Sequence, residues 1–212
     1  MKENPSGNSK NTSSISHGEI LKKIWKHLEA GATKRNHPFH TPVVGTISED
    51  GTPSMRVVVL RRVWRKNPHR GLIFHTHVGA PKVSEIRKNP YICWVFYHPQ
   101  ERFQLRIKGK ASIHTDDDLA EQQWQATKLL SRRCYLGEAP SKLSEKPVPG
   151  FPDYLIDREP TLEESEIGRK NFAVVFSTID SIDCLELHIH GHRRSLFIWN
   201  EKGELETKWL TP

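Results

Sequence analysis

The chain is divided into short runs of β-branched and aromatic residues, and few of the segments between them could form a helix. About eight such runs follow one another, from VVGTI near the start to ELETKWL near the end. Consecutive parallel strands need crossover connections of about a dozen residues or more, usually helical, whereas antiparallel strands do not. The sequence therefore predicts a mainly antiparallel sheet. Closure into a barrel with helices packed outside it leaves few open strand edges.

A hairpin is the clearest local signal, and it lies in the stretch FHTPVVGTISEDGTPSMRVVVLRRV. An Asp-Gly turn pair separates two β-branched runs, which is a strong hairpin pattern. The second run, residues 57–60, is typical of a strand buried in a core, with Arg56 before it and Arg61 after it. A guanidinium cannot lose its proton to escape burial, so we expect these arginines to meet an anionic partner.

Helical patterns are confined to four segments, and the chain also contains a polar tail and one long loop. Residues 1–16 are rich in Ser, Asn and Lys, and we expect them to form a disordered tail. Residues 136–160 contain five prolines, and irregular segments of this length are usually functional or disordered. We expect residues 17–212 to form a single domain. The helices are expected at residues 17–32, 81–88, 115–127 and 161–168, with the Thr115 hydroxyl capping the third.

The overall charge and the cysteine pattern limit the class of protein. A formal net charge of +7 indicates an acidic partner, either nucleic acid or a phosphorylated small molecule, although a solvated basic surface would give the same charge. The sequence contains no apolar run as long as a membrane span and no apolar signal core, so we expect a cytoplasmic protein. The three cysteines are far apart and form no C-x-x-C pair, which argues against a disulfide framework and a structural zinc site.

Polar residues recur at the predicted strand ends, whereas the common phosphate-binding loops are absent from the sequence. Arginine, lysine, threonine and the N-terminal amides of a helix together form a typical phosphate site. A glutamine can bind an amide or carbonyl of a flat heterocycle. The alternative is that each residue is a separate surface charge on a strand edge. The residues concerned are Arg56, Arg61, His75, Thr76, Lys82, Gln104 and Arg106.

The order of these residues resembles a known family. The motifs are G-x-P-x-x-R-x-V-x-L-R, F-x-T, a lysine that begins a short helix, N-P-x-x-x-x-x-F and Q-x-R-I-x-G. Together they resemble the pyridoxine/pyridoxamine 5′-phosphate oxidases and their flavin-binding split-barrel relatives, from about Thr41 to the terminal L-T-P. The resemblance implies a homodimeric split β-barrel that binds FMN between subunits. It also implies hydride transfer from an amine or alcohol carbon of a phosphorylated pyridine substrate to FMN, with dioxygen as acceptor.

The resemblance also implies the residues of an FMN site. Arg56 and Lys82 would hold the phosphate of FMN, and Gln104 would reach the cofactor. Ser141 matches the serine of a Gln-Ser pair that the family contributes across its dimer interface, although Pro140 replaces the glutamine. The full set of implied cofactor-binding residues is Arg56, Val57, Val58, Val59, Leu60, Arg61, His75, Thr76, Lys82, Gln104, Ser141 and Arg194.

The implied substrate site departs further from the family. Arg61 replaces a lysine, Trp124 a tyrosine and Lys128 an arginine, and Leu185 stands where the family has a flavin-contacting tryptophan. For Trp124 and Lys128 the alternative is a helix with one core and one surface residue. The implied substrate-binding residues are Arg61, Trp124, Lys128, Ser131, His190 and His192. The implied catalytic residues are His192 and Arg194, and Arg194 would stabilise negative charge on the reduced flavin.

Several alternatives remain open from the residues alone. The protein could be an FMN-dependent oxidoreductase of a different small anion, a flavin-binding protein without turnover, or a basic nucleic-acid module, although nucleic acid is the least favoured partner because basic stripes with interleaved aromatics do not recur. On a strand, His188, His190 and His192 would share one face and could bind a transition metal. No carboxylate or second cluster at ligand spacing supports that site, so we expect no metal.

Overall fold

The first helix is fixed by a cap that the sequence only partly predicts. The computed structural model describes residues 15–66 and 69–212, and residues 1–14 of the predicted disordered tail lie outside the described residues. Ser16, which we placed in the tail, caps α1 (His17–Thr33), and its backbone amide donates to the Glu19 carboxylate at 2.8 Å. Ile20, Ile24 and Leu28 recur at helical spacing and are buried in the main core.

The described residues contain ten strands, and every pairing between them is antiparallel. One path through the sheet runs in the order β10-β9-β8-β6-β5-β1-β2, while β7 joins β6 to β4, and β4 pairs with β3. The prediction of an antiparallel, sheet-dominated fold is confirmed. The strands are β1 (Val43–Ile47), β2 (Pro53–Val57), β3 (Arg62–Lys66), β4 (His69–His77), β5 (Tyr91–His98), β6 (Phe103–His114), β7 (Phe172–Thr178), β8 (Ser181–Glu186), β9 (Arg193–Trp199) and β10 (Leu205–Leu210).

The long strand β6 is the place where the sheet divides. Residues 103–110 of β6 pair with β5 along one edge, and the other edge has two partners in turn. Residues 103–108 of β6 pair with β8, and residues 111–114 pair with β7. The two partners meet opposite Gly109, where a Cβ atom would lie 1.9 Å from the Thr178 carbonyl oxygen. Only glycine permits this approach of two backbones.

Two predicted strands are wrong in extent. The run from Val57 to Leu60 is not one buried strand, because β2 ends at Val57 and β3 begins at Arg62. Backbone hydrogen bonds from Val58 to the Pro42 carbonyl and from Leu60 to the His40 carbonyl hold the intervening segment. The predicted strand IDCLELHIH is also too long, since β8 ends at Glu186.

Alternate residues of the barrel strands point into one main core. Burial alternates along β5 and along most of β6, as expected for strands with one buried face. Phe39, in the 3-10 turn Pro38–His40, packs against Phe96 and Phe103. A second cluster of buried residues includes Trp124 and Phe172 and lies where α3 contacts β7.

Four further helices surround the sheet in the described chain, and one of them begins later than predicted. They are α2 (Pro81–Lys88), α3 (Asp118–Gln125), α4 (Leu129–Arg132) and α5 (Leu162–Glu166). Asp117, not Thr115, caps α3, and its carboxylate accepts a hydrogen bond from the Ala120 amide at 2.9 Å. The predicted helix 115–127 is therefore wrong at its start. None of the helices in residues 15–66 and 69–212 is long and apolar enough to cross a membrane.

The close crossing at Gly109 gives the first prediction. Gly109→Ala should lower the free energy of unfolding by about 1–3 kcal/mol or more, because the new methyl group must displace the β7–β8 backbone. Chemical denaturation followed by far-UV circular dichroism would measure this loss.

Gly18→Ala is the matched control for this experiment, since its Cβ meets only the Ser16 hydroxyl oxygen, at 3.8 Å. On propensity alone the control should be neutral or stabilising by up to about 1 kcal/mol. Equal effects of the two alanines would contradict the role given to the crossing.

Candidate functional site

Two cationic side chains meet where β2, β4 and the start of α2 come together. The Arg56 guanidinium donates to the Glu85 carboxylate at 2.8 Å and to the Ser54 hydroxyl at 2.6 Å. The Lys82 ammonium donates to the Thr76 hydroxyl at 3.2 Å. Burial lowers the pKa of Lys82 and the nearby Arg56 charge lowers it further, while Glu85 partly offsets both effects. One carboxylate between two cations leaves a net positive charge that an added anion would stabilise.

Helix α2 adds a backbone donor to this cationic cluster, which consists of Arg56, Thr76, Lys82 and Glu85. Pro81 occupies the first turn of the helix, and its N-cap residue, Ala80, has no side chain that can cap it. Pro81 has no N–H and the Val83 amide donates to the Ala80 carbonyl at 2.8 Å, which leaves the Lys82 amide as the backbone donor at the start of the helix. The Lys82 ammonium, the Thr76 hydroxyl and this amide are donor types that bind a phosphate group. The cluster thus fits the phosphate of a mononucleotide.

In the segment after Arg56, buried side chains alternate with side chains that reach solvent. Val58 and Leu60 are buried in the main core, whereas Val57 is exposed and Val59 is half-buried. The prediction that the whole run is buried is therefore wrong. Val57 and Val59 are the members of this set that can contact a ligand without rearrangement.

The outer face of the sheet brings three of the predicted flavin-contacting positions into one row. Gln104 of β6 is paired with Leu185 of β8, and Leu185 is paired with Arg194 of β9. Neighbouring strands lie about 4.8 Å apart, so the three side chains are adjacent. These three residues are far apart in the sequence, and the pairing register of β6, β8 and β9 brings them side by side.

Asp183 fixes the orientation of Arg194. The Arg194 guanidinium binds the Asp183 carboxylate through two hydrogen bonds of 3.0 and 2.8 Å, and Arg106 donates to the same carboxylate. Burial raises the pKa of Asp183, but the hydrogen bonds from Arg194 and Arg106 outweigh it and hold the pKa below its usual value. Sequence reasoning missed Asp183, although its position two residues before Leu185 places it on the same strand face.

The same outer face carries exposed apolar side chains. Met55 of β2 is 72% exposed, and Tyr91 and Tyr97 of β5 are also exposed. The register of β1 with β2 and β5 puts Met55 and Val57 on the side of the sheet that holds the Gln104 row. An exposed apolar patch beside polar residues is typical of an interaction surface.

His75 and Thr76 do not converge on one point, because consecutive residues of β4 point to opposite sides. Thr76 faces Lys82, whereas His75 faces α3, where its Nε2 lies 3.2 Å from the Gln123 side-chain oxygen. Burial lowers the pKa of His75 to about 4, and the nearby Arg61 charge contributes. His75 is therefore neutral at pH 7. Its Nδ1 has no hydrogen-bond partner in the described part of the chain.

Trp124 is a core residue, as in the alternative given for Trp124 and Lys128 in the sequence analysis. Its exposure is 0%, its indole N–H donates to the Glu166 carboxylate at 3.0 Å, and the Arg132 guanidinium lies over its ring. Direct substrate contact by Trp124 would require this packing to open. Lys128, at the N-cap of α4, is exposed, and Ser131 is half-buried.

The three histidines near residue 190 lie in a turn and not on a strand. His188 Nδ1 accepts from the His190 amide, and His192 Nδ1 accepts from the His188 amide, each at 3.2 Å. All three side chains are exposed and lie between β8 and β9. Leu187, at the start of this segment, is half-buried. The strand geometry that would have placed them on one face is therefore wrong.

A cavity of about 900 Å³ is bordered by the long loop and the end of β4. Ser141 and Thr76 of the same chain both line it. Ser141 has a φ of 70°, a left-handed conformation that is uncommon for a residue with a side chain. The loop therefore brings Ser141 to the Thr76 end of β4 without a second subunit.

Comparison with known proteins gives a consistent family signal. Residues 22–115 match the sequence model of the family described as pyridoxamine 5′-phosphate oxidase, FMN-binding domain. The pyridoxine/pyridoxamine 5′-phosphate oxidase of Legionella pneumophila (strain Lens) is 38% identical over 68 residues, which are 32% of this chain and 30% of that protein. The chain thus matches about a third of the length of this relative. The oxidase of Zymomonas mobilis is 26% identical over 174 residues, or 80% of this chain and 85% of that protein.

Two solved structures share the fold of this chain at low sequence identity. A pyridoxamine 5′-phosphate oxidase-related, FMN-binding protein from Nostoc punctiforme superposes with a TM-score of 0.70 at 20% identity, covering 94% of this chain and all of that one. PhzG from Burkholderia lata, in complex with tetrahydrophenazine-1-carboxylic acid, gives a TM-score of 0.65 at 16% identity, covering 94% and 95% of the two chains. The predicted antiparallel split barrel with helices outside it is confirmed.

Proposed function

Because the chain has the split barrel of the pyridoxine/pyridoxamine 5′-phosphate oxidase-like FMN-binding family, a resemblance that its sequence motifs predicted, we propose that it binds FMN and is an FMN-dependent oxidoreductase. The observation that carries this proposal is the cationic cluster of Arg56, Thr76, Lys82 and Glu85. Its desolvated lysine and the Lys82 amide at the start of α2 suit a phosphate dianion. A cytoplasmic location, as expected from the sequence, is part of the proposal.

The residues present fit the rest of the cofactor as well. Val57 and Val59 offer an apolar edge next to the phosphate cluster, and the outer face presents Gln104 and Arg194 in one row. FMN, when bound, supplies two-electron chemistry: it accepts a hydride and passes the electrons to dioxygen. Arg194 is held in place by Asp183, so its charge is preorganised before the flavin becomes negative.

The substrate that we propose is pyridoxamine or pyridoxine 5′-phosphate. Arg61 and Lys128 are exposed cations that can bind a second phosphate, and Ser131 is a further donor. His190 and His192 lie on an exposed turn immediately before Arg194, where they can meet a substrate stacked on the flavin. In the reaction the amine carbon loses two electrons, water supplies the carbonyl oxygen, ammonium leaves and dioxygen becomes hydrogen peroxide.

A second candidate is an FMN-dependent oxidoreductase that acts on a different small anion. The burial of Trp124 favours it, because the position that the family gives to a substrate-binding tyrosine is here part of a core. A flavin-binding protein without turnover is the remaining alternative within this fold.

Loss of the Lys82 charge should weaken binding of FMN much more than binding of riboflavin. A hydrogen bond between charged groups contributes about 1.5–3 kcal/mol, so Lys82→Ala should raise the Kd for FMN roughly tenfold to a hundredfold. Riboflavin lacks the phosphate, so its Kd should change little. Quenching of flavin fluorescence on titration with apoprotein measures both constants.

Arg87→Ala is the matched control, because Arg87 is an exposed cation on the same helix. It should leave the Kd for FMN within about twofold. If Lys82→Ala bound FMN as tightly as the wild type, the phosphate would lie elsewhere.

The exposed apolar patch should be the contact of a homodimer. Met55→Glu would place a charge in that contact, whereas in a monomer the side chain is 72% exposed and tolerates a carboxylate. We expect a dimer for the wild type and a monomer for Met55→Glu by light scattering after size-exclusion chromatography. Leu162→Glu, at an exposed position of α5, should remain dimeric, and a monomeric wild type would disprove the arrangement.

Turnover distinguishes the two candidate functions. Wild-type protein loaded with FMN should consume dioxygen with pyridoxamine 5′-phosphate and release one hydrogen peroxide per aldehyde formed. Arg61→Ala should raise the KM for this substrate and leave its KM for unphosphorylated pyridoxamine unchanged. Tight FMN binding without peroxide would retain the flavoprotein assignment and exclude this substrate.

A further inference from the structure

Three histidines and one glutamate meet at the end of the barrel covered by α1, away from the residues assigned to the cofactor. His27 comes from α1, His37 precedes the 3-10 turn Pro38–His40, and His98 ends β5. One ring nitrogen of each lies within 4.8 Å of the others. Glu101, in the β5–β6 turn, has a carboxylate oxygen 3.2 Å from His27 Nε2 and 3.8 Å from His98 Nε2.

The backbone determines which ring nitrogen of two of these histidines carries the proton. The Phe39 amide donates to His37 Nδ1 at 3.1 Å, and the Glu101 amide donates to His98 Nδ1 at 3.2 Å. A nitrogen that accepts an N–H hydrogen bond has no proton of its own. His37 and His98 are therefore held as neutral rings with the proton on Nε2.

This assignment completes one directional chain of hydrogen bonds. His37 Nε2 donates to His27 Nδ1, with the two atoms 3.2 Å apart. The proton of His27 is then on Nε2, where it donates to the Glu101 carboxylate. In the four side chains, which we call the histidine cluster, all three rings are thus neutral, and His98 Nε2 lies 3.8 Å from the Glu101 carboxylate.

The positions of the ring protons on His37 and His98 argue against a bound metal ion. A histidine that coordinates a metal through Nε2 normally carries its proton on Nδ1 and donates it to an acceptor. His37 and His98 face backbone donors at that position, so a metal at Nε2 would require two rings without any proton. The donor set therefore does not fit a transition metal.

We propose that the histidine cluster is a proton-sensitive latch, which holds α1 and the 3-10 turn against the barrel when its rings are neutral and loosens them on acidification. A proton added to His37 or His98 must go to Nδ1, where it displaces a backbone N–H donor. A proton added to His27 must go to Nδ1 and removes the bond from His37. Protonation of His27 breaks the contact between α1 and the segment before the 3-10 turn, whereas protonation of His37 or His98 breaks a backbone contact within its own turn.

The surroundings of the cluster shift the protonation equilibrium of His27 and His37 towards the neutral ring. Burial lowers the pKa of His27, and although Glu101 opposes this, His98, His37 and Lys23 add to it. Burial lowers the pKa of His37, helped by His98 and Lys34 and opposed by Glu101. The Glu101 carboxylate is already bound by Lys23 at 3.0 Å, and Lys23 also contacts Glu186 of β8 at 3.2 Å.

The sign of the pH effect follows from these directions. His27 and His37 have a pKa near 6.5 in the unfolded chain and a lower pKa in the folded chain, so the unfolded chain binds more protons just below pH 6.5. The stabilisation is fully present above pH 6.5 and is lost as the pH falls below it. His75 contributes with the same sign, so the cluster is tested by the difference between a variant and the wild type.

The latch also supports the segment that follows Arg56. The His40 and Pro42 carbonyls, at and just after the 3-10 turn, accept the backbone hydrogen bonds of Leu60 and Val58. Loosening of the turn on acidification would release these bonds. Any effect on FMN affinity rests on the proposed function, whereas the stability effect does not.

His37→Asn gives the sharpest test, because asparagine can accept the Phe39 amide bond through its side-chain oxygen and cannot take up a proton. We expect the melting temperature of the wild-type apoprotein to fall between pH 7.5 and 5.5, and this fall to be clearly smaller in His37→Asn. His188→Asn, in the exposed turn, should keep the wild-type fall.

Ring nitrogen NMR of the wild-type protein provides a readout that does not depend on the variants folding. At pH 7.5, His37 and His98 should show the tautomer with the proton on Nε2. A proton on Nδ1 of either ring would overturn the proposal, as would an unchanged pH dependence in His37→Asn. A melting temperature raised by zinc in the wild type and not in His37→Asn would instead establish a metal site.

Discussion

The crossing of the β7–β8 connection over Gly109 is the contact on which the position of the candidate site depends. It lets one edge of β6 pair first with β8 and then with β7. The β8 branch carries Asp183 and leads to Arg194 on β9, and the β7 branch leads to Thr76 on β4. A side chain at residue 109 would separate these branches. The glycine that ends the Q-x-R-I-x-G motif thus has a structural reason that is independent of cofactor binding.

Arg56 and Arg194, two of the arginines assigned to the cofactor, already have a carboxylate partner in the free chain. Glu85 binds Arg56, and Asp183 binds Arg194 and Arg106. Such pairs keep the guanidinium groups oriented and reduce the cost of holding them away from water. They also reduce the net charge that a ligand meets, so Lys82, whose described side-chain partner is the neutral Thr76 hydroxyl, supplies much of the attraction for a phosphate. Because a carboxylate balances the charge of Arg56, Lys82 contributes more than Arg56 to selection of a ligand that carries a phosphate.

Sequence reasoning predicted the antiparallel barrel and the strand-end positions because both depend on local patterns of alternation and turns. It could not decide which residues of Val57–Leu60 are buried, since all four are apolar and only the tertiary contacts distinguish them. The His-Ile-His alternation was typical of a strand, but Gly191, with a φ of 118°, lies in the turn there. Thr115 and Asp117 are both good caps, and the choice between them depends on where α3 meets the second core. Glu85 and Asp183 were missed because their partners are distant in sequence.

Trp124 shows how a position can change from a proposed ligand contact to a structural one. Its indole N–H is the only hydrogen-bond donor of the side chain, and the Glu166 carboxylate accepts that hydrogen bond. Arg132, which is 2% exposed, covers the ring and also binds Glu166 and the Ser165 hydroxyl, so that α3, α4 and α5 are joined around the tryptophan. Breaking such a network leaves a buried guanidinium without its carboxylate, which costs several kcal/mol.

Under the proposed function, a substrate therefore gains little by displacing Trp124, and we propose that the exposed cations recognise its anionic group. Arg61 and Lys128 both reach solvent, and they depart from the family in opposite senses: Arg61 offers a planar fork in place of a lysine, and Lys128 offers a point charge in place of an arginine. The positive charge is kept, but the bidentate donor lies at residue 61 and not at residue 128. We therefore expect selection for an anionic group whose orientation is set from residue 61.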